Sequence, residues 1–251
     1  MRFKDKVILI SGAKQGMGLA IAKKLKSEGA NLVLNDKIMD ENFKQVCFEL
    51  DAYPAVCDLS KLDEIPEVIK AVISKFGKID AVVAQHAYMN MGKFEEQSEE
   101  EWWKIVNTNL LGTYVLIREF VEHLTKTKGK IVITSSYWGL SGWPEASAYS
   151  SSKAGLITLV KSLGRELAPI GINVNGIAPG VINTPQLEID AKNLNLTMPE
   201  VLELYAKNIP LGRVGTSEEI AAVVAFLLDP EQNAMVGQIV NANGGELRSR
   251  A

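Results

Sequence analysis

Short apolar runs rich in valine and isoleucine alternate along the chain with longer segments of helical periodicity. Seven runs have the length of a buried strand: 7–10, 32–34, 54–56, 81–84, 131–134, 172–177 and 238–240. Alternation of strand and helix requires parallel strands joined by right-handed crossovers, with helices on both faces of the sheet. The pattern therefore predicts an α/β protein with a doubly wound, Rossmann-type parallel sheet.

One segment, 62–76, shows the helical periodicity most clearly, with apolar residues repeating every three or four positions. Pro66 interrupts it. Because proline lacks the N–H that an interior helical position donates, the helix is predicted to begin just before Pro66.

The chain has no Pro-, Gly- or Ser-rich linker and no internal repeat, which predicts a single domain over 1–251. Segment 183–210 is the exception to the regular rhythm, because it is rich in Leu, Asn and Glu. Irregular segments of that length in compact domains are typically lids or binding loops. We therefore predict a substrate-loop insertion there, and a short polar tail over 247–251.

Composition and charge limit the possible partners. A net charge of -3, with Lys and Arg spread along the chain, argues against nucleic acid or an anionic membrane as partner. The apolar run 7–10 is too short for a signal peptide or a membrane span, which predicts a cytoplasmic protein. Cys47 and Cys57 lack the spacing of a metal site or a disulfide framework, and they are predicted to be buried small residues without a metal.

A glycine-rich turn, Ser11-Gly12-Ala13-Lys14-Gln15-Gly16-Met17-Gly18, lies between the first predicted strand and a helical run. Glycines allow a tight turn and close approach to a pyrophosphate, whose charge is attracted by the free N–H groups of the helix. The spacing differs from the six-residue Rossmann fingerprint. An ordinary βα turn therefore stays open as the alternative to a dinucleotide site.

Asp36 ends the second predicted strand, about 20 residues after the glycine turn, where a carboxylate can accept hydrogen bonds from the adenosine ribose. A carboxylate there would repel a 2'-phosphate, which favours NAD over NADP. Lys14 and Lys37 leave the alternative open, since either could bind that phosphate. Asp58, after the third strand, could bind the adenine amino group or serve as a turn former.

A second group of polar residues follows the fifth predicted strand. Ser136 comes directly after it, and Tyr149 and Lys153 are four apart on the next helix, so they share one face. A free tyrosine titrates near ~10, and a nearby ammonium favours the phenolate. The pair could therefore transfer protons, although Tyr/Lys pairs also occur on ordinary helix surfaces.

Taken together, these motifs resemble those of the short-chain dehydrogenase/reductase family, over nearly the whole chain. The matching positions are Gly12, Gly16, Gly18, Asp58, Asn109, Ser136, Tyr149, Lys153, 175–180, 212–215, 218–221 and 244–245. The chain departs from the family at Ala84-Gln85-His86-Ala87, where the family usually has Asn-Asn-Ala-Gly. A local rearrangement is expected there.

The resemblance implies a nicotinamide-dependent alcohol/carbonyl oxidoreductase with Asn109, Ser136, Tyr149 and Lys153 as catalytic tetrad. Tyr149 would exchange the proton of the substrate hydroxyl, which Ser136 would hold. Lys153 would lower the pKa of Tyr149 and bind the nicotinamide ribose. Asn109 would hold a water that joins Lys153 to solvent.

The resemblance also implies the cofactor contacts. Ile182 would offer backbone atoms to the carboxamide and Thr184 a hydroxyl to the phosphates. The full predicted set is Gly12, Gln15, Gly16, Met17, Gly18, Asp36, Asp58, Leu59, Tyr149, Lys153, Pro179, Gly180, Ile182 and Thr184. Family members of this length also imply a homo-oligomer, a tetramer or a dimer, paired through helices near 113–126 and 149–167.

Four residues are candidates for the substrate pocket: His86, Trp138, Trp143 and Gln186. The two tryptophans flank the loop between Ser136 and the tyrosine, where they could wall an apolar pocket or serve a subunit interface. His86 could contact substrate or be hydrogen-bonded beneath the loop.

The sequence thus favours an NAD-dependent dehydrogenase of a secondary alcohol or its ketone. An NADPH-dependent ketoreductase and a non-catalytic dinucleotide-binding sensor or scaffold are the alternatives. Segment 183–210 has no cluster of Arg or Lys, which disfavours a strongly anionic substrate such as an acyl-carrier thioester.

Overall fold

The main sheet has seven parallel strands. A computed structural model describes residues 1–247; most of the predicted tail, 248–251, lies outside them. In chain order the strands are β1 Val7–Ser11, β2 Asn31–Asn35, β3 Tyr53–Pro54, β4 Ala81–Ala84, β5 Lys130–Thr134, β6 Asn173–Pro179 and, last in the chain, β9 Ile239–Ala242. Their spatial order is β3-β2-β1-β4-β5-β6-β9. The predicted parallel sheet is confirmed, and its order reverses between β1 and β4.

Helices connect the strands and cover the sheet. They are α1 Gly16–Ser27, α2 Glu41–Glu49, α3 Ile65–Phe76, α4 Glu99–Val106, α5 Gly112–Thr127, α6 Trp138–Ser141, α7 Ser147–Leu167, α8 Gln186–Leu194, α9 Met198–Ala206 and α10 Ser217–Leu227. A π-helical turn, Asn107–Leu111, joins α4 to α5. Two short strands, β7 Ile182–Asn183 and β8 Gly215–Thr216, form a separate parallel pair.

Apolar side chains on both faces of the sheet explain the continuous Val/Ile runs. All five residues of β1 are buried, and Leu9 lies in register with Val33 and Val82. Ile8 packs in the cluster that contains residues of α1 and α10, whereas Leu9 packs in the cluster of α3, α5 and α7. Because neighbouring side chains of a strand point to opposite faces, the sheet carries a core on each side.

Local signals fix the ends of α3. The helix begins at Ile65, so Pro66 occupies its first turn, as predicted, and no interior N–H is lost. Gly77 follows the helix with a φ of 71°, a left-handed conformation that glycine adopts without strain.

Segment 183–210, which we call the lid, differs from its prediction as an irregular loop. It contains α8 and α9, and α9 begins at a capping box in which the N–H of Thr197 donates to Glu200 at 2.8 Å. The Thr-Met-Pro-Glu sequence favours α9 because it supplies both this cap and a proline in the first turn.

Other sequence features bear on the environment of the chain. Cys47 and Cys57 are buried free thiols, and burial raises the pKa of each to about 11. Within residues 1–247, no helix has both the length and the apolar character that crossing a membrane requires.

Candidate active site

Two adjoining cavities lie at the carboxyl ends of the strands. The larger, about 510 Å³, crosses the point between β1 and β4 where the strand order reverses. The smaller, about 230 Å³, lies between the end of β5, the start of α7 and the lid. We call them the cleft and the chamber. Met17, Thr184 and Gln186 line both. The position of the cleft is the one expected of a ligand crevice, at the topological switch point of the sheet.

The glycine turn forms one wall of the cleft through its backbone. Gly12 has a φ of 63°, and a Cβ on it would lie 2.9 Å from the Cα of His86. A Cβ on Gly18 would overlap the carbonyl oxygen of Gly12. The turn therefore leaves no room for side chains at either position and keeps the cleft open beside bare backbone.

The N-terminus of α1 opens into this wall and suits an anion. Within the described chain, Gln15 at the N-cap gives α1 no side-chain capping bond, and its first turn has no acidic residue. The N–H groups of that turn are free to bind the phosphates of a dinucleotide. The glycine turn and the N-terminus of α1 therefore fit the dinucleotide that the sequence predicts.

Asp36 lines the cleft next to the glycine turn. Its carboxylate accepts hydrogen bonds from the backbone N–H groups of Lys14, at 3.3 Å, and Lys37, at 2.9 Å. The ammonium of Lys14 pairs with Asp40, which also caps α2 by accepting from the N–H of Phe43. Lys14, one of the two lysines that could bind a 2'-phosphate, thus already has a carboxylate partner, while Lys37 also lines the cleft.

Asp58 also lines the cleft, but its own bonds are those of a turn former. One carboxylate oxygen accepts from both the N–H and the hydroxyl of Ser60, at 3.0 and 2.7 Å. The second oxygen makes no hydrogen bond with the described residues, so both uses weighed for Asp58 are compatible with its position.

The departure at 84–87 is accommodated by a buried polar network. Gln85 accepts a hydrogen bond from the hydroxyl of Thr134, which ties β4 to β5. His86 lies beneath the cleft: its Nε2 is 3.2 Å from the carbonyl of Thr108, and its Nδ1 is 2.7 Å from the hydroxyl of Ser11. Only a protonated Nε2 can donate to a carbonyl, so Ser11 donates to Nδ1.

Burial lowers the pKa of His86 to about 4, with the charge of Lys153 acting in the same direction. At neutral pH the ring is therefore a neutral hydrogen-bonding link. It lines the cleft and not the chamber, so the structure places this candidate outside the proposed substrate pocket.

Ser136, Tyr149 and Lys153, the floor of the chamber, come together from β5 and α7. Ser136 and Tyr149 line the chamber, and Lys153 lies behind them, only 1% exposed. The Nζ of Lys153 donates to the carbonyl of Thr134 at 2.9 Å and lies 5.5 Å from the centre of the Tyr149 ring. The hydroxyl of Ser135 holds the carbonyl of Lys153 at 2.7 Å, which fixes α7 against β5.

Burial shifts the pKa of Tyr149 in the direction opposite to the one that the sequence predicts. It raises the pKa of Tyr149 to about 12, with the Ser136 hydroxyl opposing the rise, and it lowers the pKa of Lys153 to about 7. Desolvation disfavours the charged form of both groups, so the lysine is only partly protonated at neutral pH. The lowering of the tyrosine pKa that the sequence predicts is therefore not found: burial outweighs any effect of Lys153 on Tyr149.

Asn109 lies in the π-helical turn, buried next to the floor. Its side-chain oxygen accepts from the N–H of Tyr88 at 2.7 Å, and its Nδ2 donates to the Tyr88 carbonyl and the Ser152 hydroxyl. The side chain thus joins the loop after β4 to α7. Asn109 is fully buried, and its predicted role in holding a water stays a prediction.

Most of the other predicted residues line one cavity or the other, and Met17, Thr184 and Gln186 line both. Gly12, Gln15, Gly16, Met17, Gly18, Asp36, Asp58, Leu59 and Thr184 line the cleft. Gly180, Ile182, Trp138 and Gln186 line the chamber. Pro179 lines neither cavity. It ends β6, and its carbonyl accepts a hydrogen bond from the N–H of Tyr137. Trp143 also lies outside and stacks on Trp138 at 5.0 Å between ring centres.

Sequence reasoning missed three polar residues of the chamber: Tyr137, Asp190 and Tyr205. Asp190 and Tyr205 lie on α8 and α9, and the interpretation of the lid as a loop gave no reason to bring them together. The capping sequence from Thr197 to Glu200 was the available signal, since it marks the start of α9, the helix whose Tyr205 lines the chamber.

Comparison with known proteins agrees with this geometry. A family model described as "Enoyl-(Acyl carrier protein) reductase" matches residues 12–246. The 3-oxoacyl-[acyl-carrier-protein] reductase FabG of Thermotoga maritima is 35% identical, over 98% of this chain and 99% of its own. The FabG of Staphylococcus aureus strain Mu50 is 32% identical, over 96% and 97%. The putative ketoacyl reductase 1 of granaticin polyketide synthase from Streptomyces violaceoruber is 31% identical, over 95% and 92%.

The family model covers both the glycine turn and the floor, and the relatives match almost the whole chain. With its seven-stranded parallel sheet and its cleft suited to a nicotinamide dinucleotide, this chain belongs to the short-chain dehydrogenase/reductase family of oxidoreductases.

Proposed function

We propose that the protein interconverts a secondary alcohol and a ketone with NAD as cofactor. The observation that carries this proposal is the floor: a tyrosine hydroxyl, a serine hydroxyl and a buried lysine meet where the chamber adjoins the cleft. Proton transfer at a carbon that exchanges hydride needs an acid/base group at such a junction. A sensor or scaffold without turnover would have no chemical need for it.

In the oxidative direction the alcohol loses a hydride from carbon and a proton from oxygen, and a ketone results. A bound nicotinamide would supply the hydride acceptor. Tyr149, ionised to the tyrosinate, takes the hydroxyl proton and becomes the neutral phenol, and Ser136 hydrogen-bonds the substrate oxygen. Lys153, when protonated, stabilises the tyrosinate. In reduction the proton returns from the tyrosine hydroxyl to the ketone oxygen.

The assignment of NAD rests on the charges at the ribose end of the cleft. Asp36 presents a carboxylate held by two backbone N–H groups, and Lys14 is paired with Asp40. Although Lys37 also lines the cleft, a 2'-phosphate would face the carboxylate of Asp36, and Lys14 is already paired with Asp40. Both features favour a ribose with a free 2'-hydroxyl.

Steady-state assays with NAD and NADP over a panel of sugar, cyclic, sterol and simple secondary alcohols test both parts of the proposal. We expect turnover with NAD, and an Asp36→Asn variant with an NADP-to-NAD ratio of kcat/KM about tenfold higher. Asp40→Asn keeps an N-cap but frees Lys14, and should raise the ratio severalfold. An unchanged ratio in both variants would contradict the assignment of NAD.

The relatives' names, 3-oxoacyl-[acyl-carrier-protein] reductase, support a second candidate, the reduction of a 3-oxoacyl group on an acyl carrier protein. It corresponds to the NADPH-dependent ketoreductase that the sequence left as an alternative. The relatives' identity of 35% and 32% over nearly the full length favours it. Reduction of a 3-oxoacyl thioester by NADPH, faster than any NAD-linked oxidation in the panel, would establish this candidate instead.

We further propose that residues 1–251 act as one domain in a cytoplasmic homo-oligomer, a tetramer or a dimer. Support comes from apolar side chains left exposed near α5, with Leu111 36% and Tyr114 41% exposed. Large exposed apolar groups on neighbouring turns are typical of subunit interfaces. Size-exclusion chromatography with light scattering tests the assembly, and a monomeric mass would contradict it.

A further inference from the structure

The lid places a carboxylate against the chamber. Asp190 on α8 lines the cavity together with Ser136, Trp138 and Tyr149. Its Oδ1 accepts from the amide of Gln186 and its Oδ2 from the hydroxyl of Tyr205, each at 3.1 Å. Gln186 and Tyr205 line the same cavity, so these two bonds fix the orientation of the carboxylate.

The carboxylate retains acceptor capacity. Each oxygen of an ionised aspartate has two lone-pair directions, and here each accepts one hydrogen bond from the described residues. The remaining directions are available to a molecule in the chamber. Tyr205 reinforces the arrangement: burial, followed by the charge of Asp190, raises the pKa of its hydroxyl to about 12, so it stays a donor to Asp190.

Charge and size limit what the chamber can hold. Of the described residues that line it, none is a lysine or arginine, and Asp190 is the one acidic residue. An anionic group would meet like charge without a counter-ion. At about 230 Å³ the chamber is also smaller than the roughly 300 to 1,000 Å³ of pockets for drug-sized ligands. Both features favour a compact, uncharged molecule with a hydrogen-bond donor.

We propose that Asp190 accepts a hydrogen bond from a second hydroxyl group of the substrate, so that the enzyme acts on small neutral diols and the matching hydroxyketones. This inference rests on the proposed alcohol/ketone chemistry and names its substrate class. A site built around a charged acceptor discriminates strongly against an analogue that lacks the donor, because the acceptor is then left without its partner.

Paired substrates test this directly. The 1,2-, 1,3- and 1,4-cyclohexanediols are compared with the methylcyclohexanols of the same substitution pattern, which replace one hydroxyl by a methyl of similar size. We expect kcat/KM for the best diol to exceed that of its methyl partner by about tenfold or more. If the methyl compounds have a kcat/KM equal to or above that of every diol, the inference about Asp190 is overturned, but the proposed alcohol chemistry stands. Absence of turnover with all of them, with NAD and NADP, would overturn both.

Variants assign the preference to the residue. Asp190→Leu should reduce the diol-to-methyl ratio to within about twofold of unity. Glu188→Leu, which removes an exposed carboxylate from the same helix, is the matched control and should keep the wild-type ratio. A ratio retained in Asp190→Leu would overturn the proposal. If that variant does not fold, Asp190→Asn, with one acceptor oxygen fewer, should lower the ratio severalfold, and an unchanged ratio there would count equally against it.

Discussion

The floor and the lid enclose the same chamber but are held in place in different ways. Lys153 of the floor bonds to Thr134, nineteen positions earlier, across the β5–α7 crossover, and it is 1% exposed. In the lid, Asp190 bonds to residues four and fifteen positions away on α8 and α9, and apolar Ile189 stays 51% exposed. The floor is therefore anchored to β5, an interior strand of the sheet, while the lid carboxylate is held by its own helices.

This difference separates the two tasks of the site. A floor fixed by the sheet keeps its groups in one geometry and shifts their pKa values by burial. A lid held by a few hydrogen bonds can change its contacts without disturbing the core. We conclude that the floor and the glycine turn supply the chemistry and the cofactor site, and that the lid supplies selectivity.

The largest effect is expected in the glycine turn, where Gly18 lies against the backbone carbonyl of Gly12. Gly18→Ala forces a Cβ against the carbonyl of Gly12, so the turn must shift by about an ångström, and NADH affinity should fall by about 100-fold or more. Gly92→Ala is the control, since a Cβ there meets no atom within 4 Å. Calorimetric titration that finds equal NADH affinity in both variants would contradict the role of the turn.

A second prediction concerns His86, whose ring links Ser11 to Thr108 in the wall of the cleft. The pKa of His86 is about 4 when folded and about 6.5 when unfolded. Between these values the unfolded chain binds the additional proton, so stability is lost as pH falls from 6.5 towards 4. From pH 7 to about 4.5 His86 should account for roughly 2 to 3 kcal/mol of that loss.

Urea unfolding at the two pH values measures this contribution. His86→Ala should lower the stability at neutral pH but lose less of it on acidification. His123→Ala, which removes the other histidine of the chain, should follow the wild-type slope. Identical slopes for wild type and His86→Ala would show that the buried ring does not control the acid response.

The third prediction uses the lowered pKa of Lys153, about 7, in the protein without cofactor. An anionic dinucleotide favours the protonated form of Lys153. NADH should therefore bind most tightly below pH 7, and its affinity should fall as the pH rises. We expect a fall of about tenfold between pH 6 and pH 8.5, with proton uptake on binding. Lys153→Met should remove most of the dependence; a parallel decline in that variant would assign it to another group.

The smallest effect is expected in the lid. Thr197→Ala removes the side chain that caps α9, at a cost of at most about 1 kcal/mol. Because the lid is held locally, hydrogen exchange in α9 should accelerate up to about fivefold while amides of α7 keep their protection. Equal acceleration in both helices would mean that lid and floor open together, and the distinction between them would not hold.

The same contrast explains what could be predicted from sequence. The strands were predictable because buried parallel strands are continuous Val/Ile runs, and Tyr149 and Lys153 because their spacing on one helix is a local property. The helices of the lid escaped detection since they are short, and with them Asp190 and Tyr205. The direction of the pKa shifts could not be read from the sequence either, because burial of Lys153 depends on how α7 packs on β5.

The most direct test of the account is Tyr149→Phe, assayed for alcohol oxidation and for NADH binding on the same preparation. Loss of the hydroxyl removes the acid/base group but leaves the cleft untouched. We predict a fall in kcat of about 10³-fold or more and an NADH dissociation constant within about threefold of wild type. Turnover within tenfold of wild type would contradict the assignment of proton transfer to the floor.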